Sequence, residues 1–177
     1  SIGGIMSIDT YISQEDIAKR VKELGQQISK DYEGEELVVV GVLNGCFLFM
    51  ADLIREIKIP VYVEFMKASS YGDSTTSSGK VDIQLDIKQD IAGRNVLVVE
   101  DIVDTGLTIS GVCNDFTARN PKSLKVCSLL FKPARLENEV QIDYLAFEIE
   151  DKFVIGYGLD YAGKYRELPY IGIYNED

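Results

Sequence analysis

The chain has 177 residues, 46% of them apolar and 27% charged, with a formal net charge of -11 and no histidine. That length suits one globular domain with a sizeable core, and the missing imidazole excludes a Ser-His-Asp triad, a histidine base and a histidine-ligated metal centre. The acidic balance gives no support to a broad nucleic-acid-binding face.

Ser13 is followed by Glu15 and Asp16, a capped and acidic helix start. Ile17, Val21, Leu24 and Ile28 then continue one apolar stripe, so a helix should cover a sheet face. Residues 37–43 read as a buried central strand, ended by Asn44-Gly45. Phe47, Phe49, Met50, Leu53, Ile54 and Ile57 supply the next helical surface. A further strand spans residues 60–66. Residues 68–80 then turn polar and small, either as a mobile lid or as a solvent-exposed hairpin connection. Residues 81–87 alternate like a half-exposed strand, on an antiparallel flap or a sheet edge.

After Gly93 the chain re-enters the core through residues 95–99, and Glu100 and Asp101 follow where that strand should emerge. Next comes Asp104-Thr-Gly-Leu-Thr108 and a helix with Ile109, Val112, Cys113 and Phe116 on its buried face, stopped at Asn120-Pro121. In an open α/β sheet, ligands bind beyond the carboxyl ends of the strands. A Thr/Gly turn opening a helix can present N–H groups and hydroxyls to phosphate, and nearby acids can hold sugar hydroxyls or a magnesium-bound substrate. The same residues also fit a plain helix entry capped by Asp or Thr. Residues 124–131 form another central strand with Lys132-Pro133 at its edge. Residues 144–149 and 153–157 are short strands expected in a smaller lobe. Cys46, Cys113 and Cys127 are odd in number and sit beside apolar residues, as core side chains do in a reducing compartment. With no leader-like opening and no apolar run long enough to span a bilayer, the expected location is cytoplasmic, without a membrane partner.

The string Val98-Val-Glu-Asp-Ile-Val-Asp-Thr-Gly-Leu-Thr108 closely resembles the phosphoribosyl-diphosphate signature of type I phosphoribosyltransferases. Phe147-Glu-Ile-Glu-Asp-Lys-Phe-Val-Ile-Gly-Tyr-Gly-Leu-Asp160, continuing to Arg166, resembles the base pocket of the hypoxanthine-guanine branch. The likeness covers nearly the whole chain. It implies one domain over residues 1–177: an α/β fold with a mostly parallel central sheet flanked by helices. It adds a small base-binding hood from the N-terminal residues and roughly residues 144–177, and a flexible active-site loop over roughly residues 68–82.

The resemblance also implies roles. Leu43, Asn44 and Gly45 form a loop whose backbone, often through a cis peptide, contacts diphosphate, as Arg166 does. Ser70 and Tyr71 belong to the closing loop. Glu100 and Asp101 hold the ribose hydroxyls or magnesium-bound water, and Asp160 is a further magnesium-site carboxylate. Asp104, Thr105, Gly106, Leu107 and Thr108 cradle the 5′-phosphate, while Asp104 also serves as the catalytic group at purine N7. Lys132 donates to the exocyclic oxygen at C6, a match for hypoxanthine or guanine and a mismatch for adenine. Phe153 stacks on the purine, the Val154 backbone reads its edge, and Ile102 and Asp160 lie beside it. Two departures stand out: Asn44 replaces a Lys or Arg, and Leu107 replaces a Lys, the latter favouring bacterial-type members. The implied partners are a purine base, phosphoribosyl diphosphate and further copies of the chain, as a dimer or tetramer. A preference for xanthine and an RNA-binding regulator that retains this fold are the alternatives.

Overall fold

The computed structural model describes residues 7–71 and 80–175. Helix α1 (Gln14–Asp31) starts where expected, with the Ser13 hydroxyl accepting the Asp16 N–H at 3.1 Å, and it buries Ile17, Val21, Leu24 and Ile28. The main sheet has the order β4-β3-β2-β5-β6-β7. Strands β2 (Leu37–Val42), β3 (Val61–Ser70), β5 (Asn95–Val103), β6 (Ser123–Phe131) and β7 (Tyr144–Glu148) run parallel. Among the described residues only β4 (Val81–Leu85), on the edge beside β3, is antiparallel in this sheet.

Strict alternation along the inner strands feeds two cores. Leu37, Val39, Leu97 and Val99 pack with α1 and α2 (Phe47–Arg55) on one face. Val38, Val40, Val96 and Val98 pack with α3 (Leu107–Thr117) on the other. A second, antiparallel sheet joins β1 (Ser7–Ile12), β9 (Ile171–Asn175) and β8 (Val154–Ile155), in the order β1-β9-β8. Among the described residues, no helix is long and apolar enough to cross a membrane.

The sheet differs from the sequence reading in three places. Residues 144–148 are not in the smaller lobe; they close the far edge of the main sheet. Cys127 pairs with Tyr144, the Tyr144 hydroxyl donates to Asp31 at 2.6 Å, and Arg20 caps the edge carbonyls of Leu145 and Ala146 at 2.6 and 3.1 Å. Strand β5 does not stop before its acids, because the ladder continues through Glu100↔Ser128 and Ile102↔Leu130. Ser69 and Ser70 end a strand rather than begin a loop, paired with Asp82 and Val81. Residues 72–79 of the expected loop, and residues 1–6 and 176–177 of the expected hood, lie outside the described residues.

Candidate active site

From β2 the parallel order runs to β3 on one side and to β5, β6 and β7 on the other, so the carboxyl ends of β2 and β5 flank a topological switch point. Beyond β2 comes the cis Leu43-Asn44 peptide, an exposed Asn44 and a buried Gly45. A Cβ on Gly45 would run into the Asp101 carboxylate, so only glycine lets these two segments meet. Gly158, at φ +100°, abuts the Gly45 carbonyl. The Gly158 carbonyl accepts the Arg166 Nη1 donor at 2.6 Å, and Arg166 Nη2 lies 3.4 Å from the Asp160 carboxylate. Asp160 also accepts the Gly163 N–H at 2.9 Å. Gly45, Asp101, Gly158, Asp160 and Arg166 therefore converge from distant parts of the chain.

The end of β5 concentrates negative charge. Glu100 is buried, and desolvation, reinforced by Asp101 and Asp104, holds its carboxyl well above the usual range. Burial pushes Asp101 up to about 6, against the opposing pull of the Ile102 N–H (2.7 Å from its Oδ1) and the Arg166 guanidinium. A nearby cation would favour their ionised form, as Arg166 does for Asp101. Among the described residues no three carboxylate, cysteine or histidine side chains form a cation cage. One or two carboxylates beside substrate oxygens and water are how a magnesium ion is usually held, so the donor set fits an ion carried with a phosphorylated substrate.

The strand-to-helix turn is held by its own side chains. Asp104 Oδ1 accepts the Thr105 N–H at 2.6 Å, and Thr105 Oγ1 accepts the Leu107 N–H at 3.3 Å. Gly106 takes φ +81° as the N-cap of α3 and brings no side-chain cap of its own. A depression of about 80 Å³ is lined by Glu100, Ile102, Asp104, Thr105, Gly106 and Thr108 among others. Two larger hollows, of about 490 Å³ beside α3 and about 400 Å³ between α1 and α2, contain none of the predicted site residues, and one of about 320 Å³ is lined by Tyr71 alone among them.

At the carboxyl ends of neighbouring strands β5 and β6 stand the half-buried Ile102 and Lys132. The Lys132 N–H donates to Val103 O at 2.9 Å, and its side chain is 12% exposed with Nζ 3.8 Å from Asp151 Oδ1. Arg135 shares that carboxylate at the same distance. Val154 is buried and paired with Ile173, whereas the preceding Phe153 is 53% exposed. Phe153 stands edge-on to Tyr161 (5.7 Å between centroids) and Tyr174 (6.5 Å), which stack on each other at 4.5 Å. Ser70 ends β3 with Tyr71 exposed beside it.

Sequence reasoning missed Gly158, Asp151 and Tyr174. The Gly156-Tyr-Gly158 spacing was a usable signal for a special backbone. Asp151 looked like part of a turn between strands, and nothing local linked Tyr174 to Phe153.

A model of the phosphoribosyl transferase domain matches residues 7–162, and the chain belongs to that family. Its similarity lies with the bacterial-type hypoxanthine-guanine branch of the type I enzymes. The hypoxanthine phosphoribosyltransferase of Haemophilus influenzae is 49% identical over 168 residues, covering 93% of this chain and 94% of that protein. The hypoxanthine-guanine phosphoribosyltransferase of Mycobacterium tuberculosis is 49% identical over 176 residues, covering 96% and 86%. A crystal structure of a hypoxanthine-guanine phosphoribosyltransferase from Bacillus anthracis superposes with a TM-score of 0.90 at 50% identity, covering 94% of this chain and 99% of that one.

Proposed function

We propose that the chain transfers phosphoribose from 5-phospho-α-D-ribosyl 1-diphosphate to N9 of hypoxanthine or guanine, forming IMP or GMP and releasing pyrophosphate in purine salvage. The observation that carries this reading is the meeting of Gly45, Asp101, Asp160 and Arg166 at the β2–β5 switch point, beside an anion-binding helix start. The 5′-phosphate sits on the N–H groups and hydroxyls of residues 104–108. Glu100 and Asp101 hold the ribose hydroxyls, and the backbone of Leu43, Asn44 and Gly45 binds diphosphate with Arg166. When bound, magnesium would neutralise the leaving diphosphate, with Glu100, Asp101 and Asp160 as the carboxylates that hold it and its water. Asn44 leaves more of that work to Arg166 than a Lys or Arg would.

The transition state is loose, with positive charge on the ribose ring as the bond to diphosphate breaks. Asp104 receives the purine N7 proton as N9 attacks. Its Oδ1 is engaged by the Thr105 N–H, so Oδ2 is the oxygen for the base. Lys132 donates to the C6 oxygen, Phe153 stacks on the ring, and Ile102, Asp160 and the Val154 backbone border it. The second sheet, with residues 153–166, serves as the hood over the base. Ser70, at the end of β3, and Tyr71 beside it help to close the site and exclude water that would otherwise capture the sugar.

Phe47, Val63, Phe65 and Leu85, each 39–47% exposed, favour self-association as a homodimer or homotetramer. The setting is the cytoplasm, and neither nucleic acid nor membrane is a partner. The test is pyrophosphate release with magnesium, phosphoribosyl diphosphate and, separately, hypoxanthine, guanine, xanthine or adenine. Turnover with hypoxanthine or guanine and little with adenine is expected. No turnover with any base would overturn the reading and make RNA binding the next measurement.

A further inference from the structure

Tyr157 is 6% exposed, and its hydroxyl donates to Asp52 Oδ2 of α2 at 2.5 Å. It sits between Gly156 and Gly158, and all three residues have positive φ: +93°, +48° and +100°. That conformation is uncommon for a bulky aromatic and persists only where the surroundings enforce it. The backbone bonds around it close the loop on itself: Gly156 N–H to Leu159 O (2.9 Å), Tyr157 N–H to Leu168 O (2.8 Å) and Gly158 N–H to Arg166 O (2.9 Å). The Tyr157 hydroxyl instead ties the loop to α2, the helix that begins two residues after Gly45. One residue on, Gly158 abuts the Gly45 carbonyl and accepts from Arg166. Asp52 is steadied in turn by Arg55 at 2.5 Å.

We propose that Tyr157 is a positioning residue for diphosphate: its hydroxyl, anchored on Asp52, sets the gap between the Gly45 loop and the Arg166 guanidinium. This rests on the assignment of residues 43–45 and Arg166 as diphosphate contacts. Tyr157→Phe removes one oxygen and keeps the packed ring. It should raise KM for phosphoribosyl diphosphate, and the calorimetric Kd for magnesium pyrophosphate, about tenfold, as expected for a charge-assisted hydrogen bond. KM for hypoxanthine should move by less than about twofold. Asp52→Ala should reproduce the effect, the double variant should add little to it, and Asp52→Asn, which keeps an acceptor, should recover most of the affinity.

An unchanged diphosphate affinity in Tyr157→Phe overturns the proposal. So does a parallel rise in both KM values with a fall in Tm, which marks a general loss of packing. Wild-type turnover tests the underlying reading separately: a wild type active on hypoxanthine beside an unaffected Tyr157→Phe removes only the positioning role.

Discussion

Around the end of β5, Glu100, Asp101, Asp104 and the threonines of the following turn are crowded into one short stretch, buried or half-buried. The proposed base end draws on Lys132, Asp151, Phe153 and Tyr174 from separate segments, and the Phe153 ring is 53% exposed. The two ends solve different problems. A phosphorylated sugar and its cation are recognised by charges and dipoles fixed in advance in a poorly solvated place, where each interaction counts for more. A flat heterocycle is recognised by stacking and a few directional donors, which can stay exposed until the base arrives. Crowded, poorly solvated acids at the first end are the sign of this division: burial holds Glu100 and Asp101 above their ordinary pKa, with Asp101 and Asp104 adding to the shift at Glu100, and the Ile102 N–H and Arg166 opposing it at Asp101.

The sharpest break in the comparison is Asp104, which the proposed function assigns to both ends. Asp104→Asn keeps an acceptor for the Thr105 N–H, so the phosphate cradle should survive. Losing the proton acceptor should lower kcat by about 10²–10⁴-fold with KM for phosphoribosyl diphosphate within a few-fold, read by steady-state kinetics. An unchanged kcat would remove the general-base role.

Lys132→Gln tests the base end alone. Replacing the ammonium beside Asp151 should cut kcat/KM for hypoxanthine and guanine by about 10–100-fold and leave pyrophosphate binding by calorimetry nearly unchanged. If both ligands weaken together, the ends are not separable. Phe153→Leu keeps apolar bulk but loses the ring. It should raise the purine KM about fivefold, a smaller effect because stacking adds only modestly to burial. A purine KM within error of wild type would move the stacking role away from Phe153.

The same contrast decides what could be read from sequence. The phosphate end was legible because its information is local: four buried residues, acids and a Thr/Gly turn in succession dictate a strand, a turn and a helix start without distant partners. The limits lay in pairing. Tyr144 and Ala146 alternate with more exposed residues, a pattern that serves a main-sheet edge as well as a small lobe; their place is set by the long-range register with Cys127 and by Arg20. Glu100 and Asp101 looked too polar for a strand, yet the backbone ladder to β6 continues under them. Tyr157 and Asp52 stand 105 residues apart, so their bond has no local signature.

The smallest effect concerns stability, and its sign is diagnostic. Asp101 titrates at about 6 in the folded chain against an ordinary 3.8, so between those values the folded state binds more protons than the unfolded one. The stability it contributes is therefore complete below about 4 and is lost as pH rises through about 6. Glu100 acts in the same direction. Asp101→Asn should leave Tm near wild type at about pH 4 and raise it on the order of 5 °C at about pH 7.5, read by differential scanning fluorimetry without substrate. Stabilisation by magnesium and phosphoribosyl diphosphate should shrink in the same variant, because the proposed role of that carboxylate is to hold the ribose hydroxyls and the ion. A lower Tm than wild type at pH 7.5 would mean that Arg166 and the Ile102 N–H outweigh the cost of burying the carboxylate, and that the phosphate end is balanced before any cation arrives.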